Sequence, residues 1–524
     1  MQVAPIAFAT LALALSGCGQ SQGPEPPSHL LWISIDTLRA DHLSCYGYER
    51  ETSPNLDRLA NSGVRFESCY SPTSWTLPSH LTMLTGQAIS VHGLDEERHF
   101  GVRDENGNPQ GVSLYGKFIS EHLDEAGFLN GGFYSWKYLE PKYGFGAGFK
   151  RWQRIGRSIS SHPKKLARLK RLRESGETQE LAEWMESEPE LFDFHAAGDD
   201  LVVDRGIEFL DAALEDDERV FLFLHLFDPH EDYVPNAPFD RLFTDPAYQG
   251  PIDGRNVSSK DSLVNRAMSA EDLAQLIALY DGEIAWTDSQ IGRLLEELDR
   301  RGIAEQTLIQ VTSDHGEEFF EHGGKSHRHN VYAETTRVPW ILAGAADLPA
   351  GQVIHGPVGL VDQVPTVLAW LGLPVPEGLS GVDLSPVLRG ETENAIREYT
   401  QVVFGFGADR AVTMHAGLRR GEEALLWSRS ELTDPSYEYF KNTPKALDQR
   451  PPVATSTTDP RITALQAHLE QTQTRYRAQR KQAPLRKLTG GPPTAIDREE
   501  LEACLLYTSP SPRDRTRSRM PSSA

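Results

Sequence analysis

Five short, mostly apolar runs recur along the first two thirds of the chain: Leu30–Ile35, which is bounded by polar residues, Phe128–Tyr134, Val220–Phe227, Leu308–Thr312 and Val338–Leu342. Runs of this length predict strands buried on both faces. Between them apolar positions fall at helical spacing. Ser53–Ala60 predicts a helix with Ser53 as cap and Pro54 in the first turn, and Pro78–Leu84 predicts a second. Val112–Ala126, closed by Gly127, Asp200–Leu214 and the long Ala270–Arg300 predict three more. Strands alternating with helices predict an α/β fold, a three-layer α/β/α arrangement around a mostly parallel sheet. Beyond Pro374 the pattern changes. Arg410–Ser428 and Tyr437–Phe440 read as short antiparallel strands of a small C-terminal α+β subdomain, and 455–499 is polar and partly helical.

The 524 residues suffice for one large domain and a smaller one, and a net charge of −23 argues against nucleic acid as a partner. One segment runs against that balance. Lys150, Arg151, Arg154, Arg157, Lys164, Lys165, Arg168, Lys170, Arg171 and Arg173 lie within 150–173 with no acid among them. This reads as a solvated helical insertion paired with the acids at 174–189, with anionic lipid headgroups or an acidic polymer as alternative partners.

Both ends call for separate treatment. Ile6–Leu15 is an apolar run too short for a permanent membrane span, and Leu15, Ser16, Gly17 and Cys18 look like a bacterial lipobox. We expect cleavage before Cys18, lipidation of its sulfur, and a lipid-anchored protein exported to the periplasm or cell surface. Residues 1–18 are then the signal peptide and 19–28, rich in Gly, Pro, Ser and Gln, a tether. An ordinary secretory signal is the alternative. Cys45 and Cys69 are either a disulfide or two separate thiols. The run Cys504–Ser509 is what TGT-CTC-TTA-TAC-ACA-TCT encodes, which resembles the end of a transposase-based sequencing adapter. Residues 504–524 are therefore read as adapter read-through, with the natural C-terminus missing.

Three stretches place acids or histidines directly after a buried strand: Asp36 after Ile33–Ile35, Asp228 and His230 after Phe223–Phe227, and Asp314 and His315 after Val311–Ser313. In open α/β sheets, sites collect at the carboxyl ends of strands. Carboxylate and imidazole are also the donors a divalent metal takes. A nucleophile candidate lies in Ser74–His80. Pro78 suits a first helical turn, which puts Thr76 at a helix N-terminus, where an anion is favoured. The plain alternative is that Thr76 only caps that helix.

Ordered blocks across residues 29–445 resemble the sulfatase family of the alkaline phosphatase superfamily. They are Ile35–His42, Cys45–Tyr48 and Ser53–Ala60; Thr76–His80 with Leu84–Gly86 and His92–Gly93; Phe227–His230; Tyr280–Glu283 with Asp288 and Ile291–Gly292; Ser313–Glu317, Glu321–Gly323, His327, Tyr332 and Arg337–Pro339; and Gly381–Gly390. The resemblance implies an alkaline-phosphatase-like catalytic domain over 29–375, a subdomain over 376–450 and a polar tail over 451–503. It implies one divalent cation on Asp36, Asp314 and His315, calcium by family, with Mn²⁺, Mg²⁺ or Zn²⁺ as alternatives. Thr76 takes the nucleophile position, and His230 and His327 contact the ester or serve the leaving group. His80, Lys325, Arg328 and His329 are the candidates for holding the substrate anion.

Two departures bear on the chemistry. The family signature is Cys or Ser, then x-Pro-Ser-Arg, with its first residue oxidised to formylglycine. Here Thr76 and His80 occupy the first and last places, so no formylglycine is expected and a plain alkoxide acts. The family's second acid after the strand is Thr37. A sulfated formylglycine hydrate collapses to an aldehyde; a sulfated threonine cannot, and water must attack sulfur. The expected activity is therefore metal-dependent hydrolysis of a sulfuric ester on a sulfated small molecule or glycan. A phosphoester or phosphonate-ester hydrolase or phosphotransferase acting on a phosphorylated counterpart is the alternative, and a catalytically silent glycan-binding lipoprotein is a second one.

Overall fold

Strand β1, His29–Ile35, is buried along its whole length. Successive side chains of a strand point to opposite faces. Leu30 and Trp32 enter one apolar cluster with Phe221 and Phe223, while Leu31, Ile33 and Ile35 enter the other with Leu222 and Leu224. A sheet covered on both sides requires such runs. The computed structural model describes residues 26–93, 112–155, 198–392 apart from 260, 261 and 346, 399–406, 412–441 apart from 422, 431 and 432, 459–482 and 485–488, with single positions between 168 and 184 and at 452.

In chain order the elements used below are β1, α1 (Pro54–Ser62), β2 (Val64–Tyr70), α2 (Thr76–Thr85), β3 (Val112–Tyr115), α3 (Ile119–Glu125), β4 (Phe128–Tyr134), β5 (Arg151–Arg154), α4 (Asp199–Glu215), β6 (Arg219–Leu226), α5 (Ala270–Arg301), β7 (Thr307–Ser313), β8 (Glu318–Phe319), β9 (Lys325–Ser326), β10 (Arg337–Val338), β11 (Trp340–Ala343), β12 (Gln352–Gly359) and α6 (Gln363–Trp370). Nine strands form the central sheet in the order β10-β2-β11-β7-β1-β6-β4-β5, with β12 also on β2. β1 runs parallel to β6 and β7, and Ile35 stands level with Leu226 and Ser313. Chain leaving these three central strands therefore emerges at one rim. Residues of α2 and α6 pack in one cluster, and residues of α1, α4 and α5 in the other.

The segment Val112–Ala126 departs from the predicted single helix. It forms β3, paired with Leu485–Leu488, and then α3. Gly116, at φ +122°, separates the two and adopts backbone that side chains disfavour. Helix α1 begins as expected, but Ser53 makes no capping bond. Asp288 of α5 caps it instead, accepting from the N–H groups of Asn55 and Leu56 at 3.0 and 2.9 Å. Strands β2 and β12 were not anticipated. β2 carries a legible alternation, Val64, Phe66 and Ser68 buried, while β12 is obscured by Pro357, where its register shifts.

Tyr399–Phe406, Val412–Arg420, Glu423–Ser430 and Thr433–Lys441 form a separate antiparallel sheet, as the later pattern suggests. Pro460–Arg480 is helical. In the basic segment, Arg168 and Arg171 pair with Glu180 at 3.1 and 3.7 Å, the internal pairing expected of a solvated insertion. Arg157, Lys164, Lys165, Lys170 and Arg173 lie outside the described residues, as do Cys18, the signal segment and 504–524. Cys45 and Cys69 are free thiols. Among the described residues no helix is long and apolar enough to cross a membrane.

Candidate active site

The ends of β1 and β7 are tied together by the residues that leave them. Thr37 N–H donates to Asp314 Oδ1 at 3.3 Å, and Leu38 N–H to the Ser313 hydroxyl at 3.0 Å. Thr37 adopts φ +54°, a conformation costing a β-branched residue roughly 1–3 kcal/mol. The Tyr280 hydroxyl holds it there, donating to Thr37 O at 2.9 Å and accepting from Arg39 N–H at 3.0 Å. On the β7 side, a Cβ at Gly316 would stand 2.1 Å from the Glu334 carbonyl, so only glycine lets the chain turn there after His315.

This arrangement brings Asp36, Asp314 and His315 together, all buried, with one donor atom of each within 4.8 Å of the others. His315 Nε2 lies 3.7 Å from Asp36 Oδ1 and 3.4 Å from Asp314 Oδ2. His315 Nδ1 donates to Gly316 O at 3.0 Å, which leaves a lone pair on Nε2. Both Asp36 oxygens and Asp314 Oδ2 are buried without a hydrogen-bond partner. Burial pushes the Asp36 and Asp314 carboxyls up to about 7, and the charge of Asp36 adds to the shift at Asp314. Burial pushes His315 down to about 3. Buried carboxylates this poorly compensated, facing a bare imidazole nitrogen, suit a divalent cation.

Thr76 is the first residue of α2 and is buried. Its hydroxyl lies 3.3 Å from His315 Nε2, so the nucleophile candidate and the metal cluster meet at a helix N-terminus. His80, one turn on, uses both ring nitrogens beneath that point. Nδ1 donates to Thr76 O at 2.9 Å, and Nε2 accepts from Ser34 at 2.9 Å.

Of the other candidates, His327 and His230 join the site. The His327 ring centroid is 4.5 Å from that of His315 and 5.0 Å from that of His230. Glu317 Oε1 and His327 Nδ1 share one hydrogen bond at 3.1 Å. Burial holds Glu317 well above the ordinary carboxyl range and His327 well below the ordinary imidazole range. Arg328 is exposed and lies over the Trp75 ring at 4.4 Å, next to Thr76. Lys325 and His329 face elsewhere. Lys325 donates to the carbonyls of Val257 and Val264 at 2.6 and 2.7 Å, and His329 pairs with Glu318 at 2.6 Å.

Sequence reasoning gave no role to Glu317 or to His225. His225, at the end of β6, places Nε2 3.2 Å from Asp36 Oδ2. Its signal was an imidazole inside an apolar strand, masked by Asp228 and His230 close behind.

Comparison with known proteins gives a consistent result. A family profile described as Sulfatase matches residues 28–373. The N-acetylglucosamine-6-O-sulfatase of Bacteroides thetaiotaomicron is 24% identical over 509 residues, covering 83% of this chain and 85% of that protein. An arylsulfatase of Clostridium perfringens is 24% identical, covering 80% and 89%. A solved structure in complex with its substrate D-glucosamine-2-N,6-O-disulfate superposes with a TM-score of 0.63 at 19% identity, over 87% of this chain and 99% of that one. The phosphonate monoester hydrolase of Silicibacter pomeroyi superposes with a TM-score of 0.60 at 22% identity, over 86% and 95%.

Proposed function

The chain belongs to the sulfatase family of the alkaline phosphatase superfamily, and from that premise we propose that it hydrolyses a sulfuric ester with Thr76 as nucleophile, at a divalent cation held by Asp36, Asp314 and His315. The observation that carries this reading is the 3.3 Å approach of the Thr76 hydroxyl to His315 Nε2 within the carboxylate cluster. When bound, such a cation supplies Lewis-acid polarisation of the ester and lowers the pKa of a nearby hydroxyl. Calcium is the family expectation for it.

The chain's own residues supply the rest. Thr76 Oγ1, its proton released to water, attacks sulfur, the S–O bond to the leaving group breaks, and the sulfate monoester of Thr76 forms. His327 and His230 stand where a leaving oxygen can take up a proton. In the free protein, burial favours a neutral carboxyl on Glu317 and a neutral ring on His327. An anionic ester beside the ring favours the imidazolium, so the Glu317 proton passes to His327 and on to the leaving oxygen. Water then attacks sulfur, freeing sulfate, and its two protons restore the threonine hydroxyl and the Glu317 carboxyl. Arg328, over the Trp75 ring next to Thr76, is the candidate to meet the ester's outer oxygens.

A second reading, hydrolysis of a phosphoester or phosphonate ester, is favoured by Thr76 itself. A phosphorylated threonine is released by an ordinary second in-line displacement. For substrate we favour a sulfated sugar or glycan, following the relatives named above. We assign 29–375 as the catalytic unit and 376–450 as a smaller one. Lipidation at Cys18 and export to the periplasm or cell surface complete the proposal, supported by the apolar run before Cys18.

The deciding experiment is a turnover panel of aryl sulfate, phosphate monoester, phosphate diester and phosphonate monoester on wild type and Thr76→Ala. Thr76-dependent turnover of the sulfate supports the proposal. Turnover confined to phosphorus esters selects the second reading, and equal rates for the two proteins reject both. No turnover at all leaves a binding protein.

A further inference from the structure

The cation reading rests on three residues, but a further imidazole nitrogen reaches one of their carboxylates, Asp36, from the neighbouring strand. His225 is fully buried on β6, which pairs directly with β1. Its tautomer follows from Ser135. The Ser135 hydroxyl donates its single hydrogen to His225 O at 3.2 Å, and therefore accepts from His225 Nδ1–H at 3.1 Å. The lone pair then sits on Nε2. That atom has no hydrogen-bond partner and lies 3.2 Å from Asp36 Oδ2, which has none either. Two acceptors face each other in the interior, an arrangement that repels unless a proton or a cation stands between them.

The neighbouring histidines sharpen the choice. His315 is fixed in the same tautomer by Gly316 O, with Nε2 bare toward both aspartates. His80 carries its proton on the same nitrogen but has no lone pair to offer, since Nδ1–H is spent on Thr76 O and Nε2 on the Ser34 hydroxyl. The cluster itself offers one imidazole lone pair and two carboxylates, His225 adds a second imidazole lone pair beside Asp36, and threonine stands at position 37 where a third carboxylate would favour a hard cation. Calcium takes six to eight oxygens, whereas imidazole nitrogen suits first-row transition cations.

Building on the cation reading above, we propose that His225 is a further ligand of that cation, and that this two-imidazole, two-carboxylate set takes a first-row transition cation in preference to calcium. Ser135 is then the partner that orients the ligand ring, as the outer groups of metal-bound histidines do.

The test uses the full chain stripped of metal, with Co²⁺ and Ca²⁺ as probes. Wild type should bind Co²⁺ at least a hundredfold more tightly than Ca²⁺ by chelator competition. X-ray absorption of the cobalt protein should show two imidazole shells. His225→Asn should bind Co²⁺ about a hundredfold more weakly, and Ser135→Ala about tenfold more weakly. One imidazole shell in wild type, or tighter binding of Ca²⁺ than Co²⁺, overturns the proposal. The wild-type spectrum decides even where His225→Asn does not fold. A protein that holds Co²⁺ through two imidazoles yet hydrolyses no ester upholds this ligand and fails the hydrolase reading, so the two are separable.

Discussion

Ser34 of β1 and His80 of α2 are joined by a 2.9 Å hydrogen bond across 46 residues of sequence, with both side chains fully buried. The bond fastens the strand that delivers Asp36 to the helix that delivers Thr76. It also explains why a hydroxyl interrupts the apolar face of β1. Ser34→Ala strands His80 Nε2 in the interior and should cost about 1–3 kcal/mol of stability. Urea unfolding measures this directly. A midpoint within error of wild type would show the bond is not structural.

Thr76→Ala removes the attacking oxygen but little buried volume. Turnover should fall on the order of 10⁴-fold or more while the urea midpoint stays near that of wild type. Thr76→Ser keeps the hydroxyl and should keep measurable turnover. Loss of folding in Thr76→Ala would mean the residue serves the helix start rather than the reaction.

Asp288 caps α1 from a different helix, and its carboxylate also accepts from the Asn55 side chain at 2.9 Å. Asp288→Ala leaves two backbone N–H groups without that acceptor, at a cost of about 2 kcal/mol. Asp288→Asn, which retains one acceptor oxygen, should lose less. Turnover per folded molecule should be unchanged in both. The check is the urea midpoint alongside kcat, and a drop in kcat at full folding would place Asp288 in the catalytic machinery instead.

The rim of the sheet was legible because its logic is local: an apolar run, then an acid. Asp36, Asp314 and His315 each follow such a run, and parallel pairing of three strands does the rest. What stayed hidden depends on partners remote in sequence. The capping of α1 by Asp288 has no mark at Ser53, where a local rule finds a good cap already. Lys325 carries the charge an anion site wants, but two backbone carbonyls claim it. The helix predicted over Val112–Ala126 failed at Gly116, since the apolar residues before it serve a strand whose partner lies at Leu485–Leu488.

Cation uptake by the metal-free protein should depend on pH through Asp36 and Asp314. Burial raises both carboxyls to about 7, well above their values in an unfolded chain. The folded form therefore binds more protons than the unfolded form between about pH 4 and 7. From these two groups, metal-free stability is greatest below about pH 4 and is lost as pH rises through 7, by on the order of a few kcal/mol. A divalent cation inverts the trend, because it compensates the charges that burial penalises. Its affinity should rise steeply from pH 5.5 to 7 and level off above, with up to about two protons released per ion at the acid end. The imidazoles do not blur this window, since burial holds His315 near 3 and His225 near 4, so both are already deprotonated. Titration calorimetry in buffers of different ionisation enthalpy counts the released protons. A dissociation constant that stays flat from pH 5.5 to 8 would mean that these two carboxylates do not hold the ion.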